Sequence, residues 1–169
     1  MTLVHSDLQR FNPVTVIGAG TIGLSWATLF LAHGLTVRLF DPRTDLQEVV
    51  DQYFKSIGST LSLLGLPSSG FESRLTLESD LQQAVRSAAV IQENGPEKLE
   101  LKQQLFAEIE SYTEPHTLLL SSSSTIPASD ISASMKDKSR MLIGHPFNPP
   151  LVMPLVEVVP GTFTSAEAV

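Results

Sequence analysis

A chain of 169 residues, 42% of them hydrophobic and 17% charged, can bury one full core and does not read as disordered. Its net charge of −7 argues against a nucleic-acid or anionic-membrane surface, and the lack of cysteine excludes disulfides, thiolate metal sites and a cysteine nucleophile. No apolar run approaches the roughly 20 residues that span a bilayer, and MTLVHSDLQRF resembles neither a signal nor a transit peptide, so a soluble, cytoplasmic protein is expected.

In chain order, VTVIGAG (14–20) is a β-branched run ending in glycines. A segment with apolar residues at Ile22, Trp26, Leu29 and Phe30 follows and closes at Gly34, which is helical spacing. LTVRLFD (35–41) is again a strand, so these residues form one βαβ unit with parallel strands. LQEVVDQYFKSIGSTLSLLG predicts a helix, SRLTLES a short strand, DLQQAVRSA a short helix and AAVIQEN a strand. EKLELKQQLFAEIESY predicts a helix with Leu101, Leu105 and Ile109 on one face; HTLLLSS, MLIGHP and LVEVV are further strands. Alternation of β and α throughout predicts a doubly wound, mostly parallel α/β sheet of the Rossmann-like kind, in one domain over 1–169. Thr164 and Glu167 in TFTSAEAV have capping-box spacing and predict the start of a helix.

GAGTIG is the first candidate site. Gly18 allows a tight turn out of the strand, Gly20 lets a pyrophosphate approach the backbone, and Gly23 lets helix and strand pack closely. With Thr21 and Ile22 these residues would present a helix N-terminus to the phosphates. Alone the pattern is only a glycine-rich turn; between a strand and a helix, with Asp41 ending the next strand 18 residues after Gly23, it reads as a dinucleotide site. Asp41 would accept hydrogen bonds from the ribose hydroxyls and repel a 2′-phosphate, which favours NAD over NADP. Arg43 could host such a phosphate, or be a solvated surface charge.

His145 and Glu157 pose a second question. A lone carboxylate inside LVEVV is costly unless something pairs with it. Two strands joined by the PFNPP bend could bring both side chains together at one sheet end. Against that, a lone histidine is often structural, and a strand glutamate often just faces water.

VIGAGTIG, ENGPEKLELKQQLF, SSSSTIPAS and GHPFNPP with PLVEVV together resemble the NAD-binding domain of the 3-hydroxyacyl-CoA dehydrogenase family. The last motif is most similar to the lambda-crystallin and L-gulonate 3-dehydrogenase branch, with carnitine dehydrogenase close by. Pro146 and Ser122 depart from the pattern of members acting on straight-chain acyl-CoA, which counts against that substrate, while the resemblance as a whole implies a place in fatty acid metabolism. The resemblance implies that His145 and Glu157 are the catalytic pair, the imidazole taking the hydroxyl proton and the carboxylate fixing its tautomer. It implies that Ser124 hydrogen-bonds the substrate oxygen, where a polar turn or helix cap is the alternative. It places Asn148 near the nicotinamide, where Asn before Pro is also turn chemistry, and makes Glu97 and Lys102 cofactor contacts rather than solvated charges on one helix turn. His5, His33 and His116 match nothing and are expected on the surface; Trp26 is expected in the core. No metal site is expected.

Family members continue into an all-helical domain that supplies dimer contacts and part of the substrate wall. The chain is thus expected to be the first domain of something longer, or a shortened relative, and a homodimer at full length. Two functions follow as expectations: NAD-dependent oxidation of the 3-hydroxyl of a hydroxyacyl-CoA or a 3-hydroxy acid such as L-gulonate, or an NAD-binding module with a structural or sensor role and no turnover.

Overall fold

The computed structural model describes residues 8–169. Seven strands form one sheet: β1 (Val14–Ile17), β2 (Val37–Phe40), β3 (Leu75–Glu78), β4 (Val90–Glu93), β5 (Leu118–Ser121), β6 (Met141–Pro146) and β7 (Val156–Pro160). Their spatial order is β3-β2-β1-β4-β5-β6-β7. The first six are mutually parallel, and β7 alone runs antiparallel, against β6. Parallel strands need crossovers, and α1 (Thr21–Ala32), α2 (Leu46–Leu63), α3 (Leu81–Val85), α4 (Leu99–Tyr112) and α5 (Ala128–Ile131) provide most of them. The order reverses between β1 and β4, so a ligand crevice opens beyond the carboxyl ends of those two strands.

Residues of β1 alternate between two apolar layers. Val14 and Val16 pack with Leu24, Leu31 and Val50 of α1 and α2, whereas Ile17 packs with Phe106 and Ile109 of α4 and Ile131 of α5. Trp26 is in the first layer, as its helix position predicts, stacked on Phe30 with ring centroids 5.2 Å apart. His33 and His116 are exposed, and His5 lies outside the described residues.

Two local expectations fail. In α4 the inward face is Lys102, Phe106 and Ile109, while Leu101 is 48% exposed. The helix is turned so that the large Phe106 ring fills the core and the Lys102 ammonium reaches the buried Glu93 carboxylate. Residues 164–167 do not begin a helix. The Thr164 hydroxyl accepts from Gly161 N at 2.7 Å and donates to Met141 O at 2.6 Å, tying the chain to β6, and residues 165–168 make a single turn closed by Ala168 N donating to Ser165 O at 3.2 Å.

At the free edge of the sheet, all five residues of β7 are exposed. Leu155, Val158 and Val159 leave about half of their surface open. Among the described residues no helix is long and apolar enough to cross a membrane.

The rotation of α4 gives a direct test. Phe106→Ala should destabilise the domain by about 3–5 kcal/mol, the range for emptying a buried aromatic site, whereas Leu101→Ala should stay within about 0.5 kcal/mol of wild type. Urea unfolding of both variants measures the contrast. Equal losses would restore the face expected from apolar spacing.

Candidate active site

The crevice starts where β1 ends. Gly18 has φ +92°, and a Cβ there would stand 2.9 Å from Asn94 O; a Cβ on Gly23 would stand 1.8 Å from Gly18 O. Both positions require glycine, one for backbone conformation and the other for the close approach of helix to turn. Gly20 differs, since nothing lies within 4 Å of its Cβ position and the space above its backbone is open. α1 begins next, at Thr21, with no side chain capping it. Its first-turn N–H groups, those of Thr21, Ile22 and Gly23, and the positive end of its dipole therefore face that space. A pyrophosphate fits this cradle by shape and by charge.

Asp41 follows β2. Its Oδ2 accepts from Ala19 N at 2.7 Å, and its Oδ1 accepts from Arg43 N at 3.1 Å. The carboxylate thus stands against the glycine loop, where the ribose acid of such a site belongs.

The carboxyl end of β4 carries a feature that apolar periodicity did not reveal. Glu93 has no solvent exposure, yet its oxygens accept from Lys102 Nζ at 2.8 and 2.9 Å, Gly95 N at 2.6 Å and Ser121 Oγ at 2.6 Å. Lys102 is itself 2% exposed, so it is not a solvated helix charge. Glu97 lies in the bend before α4 rather than on it. Its Oε1 accepts from Ser123 Oγ at 2.5 Å, from Ser124 N at 3.1 Å, and from Thr125 N and Oγ1 at 3.0 Å. Its Oε2 lies 3.6 Å from Lys102 Nζ. Partial burial raises this carboxyl, but hydrogen bonds from Ser123 and Thr125 and the Lys102 charge outweigh it and bring it down to about 2. Glu97 therefore fixes the turn that presents Ser124.

A further group lies beneath that turn. Ser122 Oγ accepts from Gln92 Nε2 at 2.7 Å and Trp26 Nε1 at 3.3 Å, and donates to Asn94 Oδ1 at 2.7 Å. Asn94 lies in the ENGPEKLELKQQLF motif but was given no role there, and no motif pointed to Gln92, for which an amide inside an apolar strand was the signal available.

Antiparallel register places His145 of β6 directly opposite Glu157 of β7. His145 Nδ1 lies 2.7 Å from Glu157 Oε2, and His145 Nε2 lies 3.1 Å from Ser124 Oγ. With the Nδ1 proton donated to the carboxylate, Nε2 is an acceptor facing the serine. The pair is not buried: the His145 side chain is 27% exposed and that of Glu157 55%. β7 is an edge strand, so its one carboxylate meets water as well as the imidazole. Serine, histidine and acid in line would also suit a nucleophilic hydrolase. The backbone N–H groups of Ser124 and Thr125, however, already donate to Glu97, so no oxyanion donors remain beside that hydroxyl. The arrangement suits proton transfer on a bound alcohol better.

Ile22, Asn94, Gly95, Glu97, Ser122 and Ser124 are among the residues around a cleft of about 240 Å³, between the glycine cradle and the histidine. Asn148 is exposed in the bend after β6 and does not line it.

Fold and cradle define a dinucleotide-binding domain with a hydrogen-bonded histidine and glutamate at the same crevice. The chain belongs to the 3-hydroxyacyl-CoA dehydrogenase family, residues 13–169 matching its NAD binding domain, and NAD is the cofactor. It is 42% identical over 161 residues to an L-carnitine dehydrogenase of Streptomyces coelicolor, covering 95% of this chain and 51% of the relative. A 3-hydroxyacyl-CoA dehydrogenase of Gibberella moniliformis is 41% identical, covering 95% and 50%. The crystal structure of 3-hydroxybutyryl-CoA dehydrogenase from Escherichia coli superposes with a TM-score of 0.85 at 34% identity, covering 94% of this chain and 34% of that one. The chain spans about half the length of the curated relatives it matches.

The Glu97 carboxyl has a signature in acid. Its value is lowered on folding from 4.5 to about 2, so its contribution to stability is present above pH 4.5 and is lost as the pH falls toward 2. Glu97→Gln should be less stable than wild type at pH 7, and the gap should narrow in that acid window. Unfolding midpoints at pH 7 and pH 3 check it; an unchanged gap would remove Glu97 from the turn's support. At the buried pair, Lys102→Met should cost about 3–5 kcal/mol by stranding Glu93, and Glu93→Gln in the same chain should recover much of the loss. Denaturant unfolding of the single and double variants measures the recovery.

Proposed function

We propose that the chain forms the cofactor half of an NAD-dependent dehydrogenase that oxidises the 3-hydroxyl of a small hydroxy acid or a hydroxyacyl-CoA. The observation that carries this reading is the line from Ser124 through His145 to Glu157 at the mouth of a dinucleotide crevice. Bound NAD supplies a hydride acceptor. His145 Nε2 takes the hydroxyl proton, and Glu157 holds the opposite nitrogen and stabilises the imidazolium as it forms. Ser124 Oγ, which meets Nε2 in the open crevice, turns its hydrogen bond to the substrate oxygen. Glu97 and Lys102 act by holding the serine turn and the floor of the cofactor site, and Asn148, outside the cleft of the chain by itself, would meet the nicotinamide in the closed site.

L-Carnitine is the first substrate to test, because the relative at 42% identity bears that activity in its name. L-Gulonate and a 3-hydroxyacyl-CoA follow. The half-open state of the pair favours a second reading for this chain by itself: it binds NAD and does not turn over. Productive geometry needs a closed, water-poor site, and we assign its closure to the further half that the relatives possess.

NADH absorbance with the three substrates, beside calorimetric NAD titration, separates these readings. In the longer protein, His145→Gln should lower turnover by about 10²–10⁴-fold, the range for a lost general base. NAD affinity should stay near wild type. Full activity in that variant would sink the assignment of His145, and robust NADH production by residues 1–169 alone would refute the need for closure.

A further inference from the structure

Cofactor choice at the ribose end depends on more than Asp41. Arg43 is two residues beyond that acid, and its backbone N–H donates to Asp41 Oδ1 at 3.1 Å, so its side chain starts from beside the position of the ribose hydroxyls. A guanidinium there is the usual host for a 2′-phosphate. Here it is turned away. Arg43 Nε donates to Asp45 Oδ1 at 2.6 Å and its terminal nitrogen to Asp45 Oδ2 at 3.1 Å, a two-point fit of fork to carboxylate. Asp45 occupies the N-cap position of α2, where an aspartate ordinarily accepts from the helix N–H groups, yet its side chain makes no cap hydrogen bond. Both of its oxygens are given to Arg43 instead. The hydrogen bond from Arg43 also holds the Asp45 carboxyl below its ordinary range.

We propose that Asp45 is a specificity-determining residue for the cofactor: by clamping Arg43, on an exposed turn, it withholds a cation placed beside the ribose acid and so disfavours NADP. The inference rests on the NAD site described above and adds a second barrier to the charge of Asp41. The two barriers differ in kind, because Asp41 repels the 2′-phosphate while Asp45 denies it a partner. Arg43 alone should therefore be nearly silent in the wild-type protein.

Asp45→Asn keeps the shape and the capping ability of the residue but gives up the charge-assisted clamp. Calorimetric titration of the chain with NAD and with NADP should show NADP tightened by about tenfold in this variant, the scale of one new charge-assisted hydrogen bond. NAD should change less than about twofold. The double variant Arg43→Ala with Asp45→Asn should return NADP to its wild-type weakness. An unchanged ratio of the two cofactors in Asp45→Asn overturns the proposal, as does a gain that persists in the double variant, since that gain would come from the lost negative charge alone. Wild-type protein that binds neither cofactor would overturn the NAD site itself, which is a separate failure.

Discussion

One buried charge organises the crevice. Glu93 ends β4 with no exposure, and a carboxylate in that position is tolerable only with a cation and donors around it. Lys102 answers from the first turns of α4, which fixes the rotation of that helix and drives Phe106 into the core. Gly95 N and Ser121 Oγ complete the shell, and a Cβ on Gly95 would stand 2.8 Å from Glu93 Oε1, so a side chain there would press on the carboxylate. Lys102 then faces Glu97, Glu97 holds the turn of Ser124, and Ser124 meets His145. The serine and histidine at the mouth of the crevice are thus linked to a charge sealed at its base.

The run of four serines shows how much such a site asks of a short segment. Ser121 donates to Glu93, Ser122 joins Gln92, Asn94 and Trp26, Ser123 donates to Glu97, and Ser124 faces His145. As letters they are a low-complexity patch. In space each hydroxyl has a different partner, because the chain leaves β5 and crosses the mouth of the crevice in those four residues. Small side chains that both donate and accept are what the crossing allows.

Those serines also mark the limit of what could be read beforehand. The βαβ unit and its glycines were legible because hydrophobic period and turn geometry are local properties of the chain. The doubly wound class followed from alternation alone, whereas the strand order did not. Apolar spacing misjudged α4, since it ranks Leu101 above a lysine and cannot see that the lysine's partner is a buried glutamate on another strand. It missed the Thr164 hydroxyl for the same reason: the capping spacing is local, whereas the bond to Met141 O spans 23 residues. His145 and Glu157 stood out as a histidine before a Pro-rich bend and a lone acid in an apolar strand, and the resemblance supplied the role implied for them. The register that sets them opposite each other is a property of the hairpin, and the exposure of Glu157 belongs to the sheet edge.

The acid of the pair thereby sits on the least secured strand of the sheet. β6 is paired on both sides, whereas β7 has β6 alone, and its residues are open to water. Strands of this sort open in local excursions that leave the rest of a domain folded. When β7 peels away, Glu157 leaves the imidazole while the glycine cradle, the Glu93 shell and both apolar layers persist. Warming or mild denaturant would then part Glu157 from His145 well before the glycine cradle fails, and whatever packs on that edge would set the temperature at which the two separate.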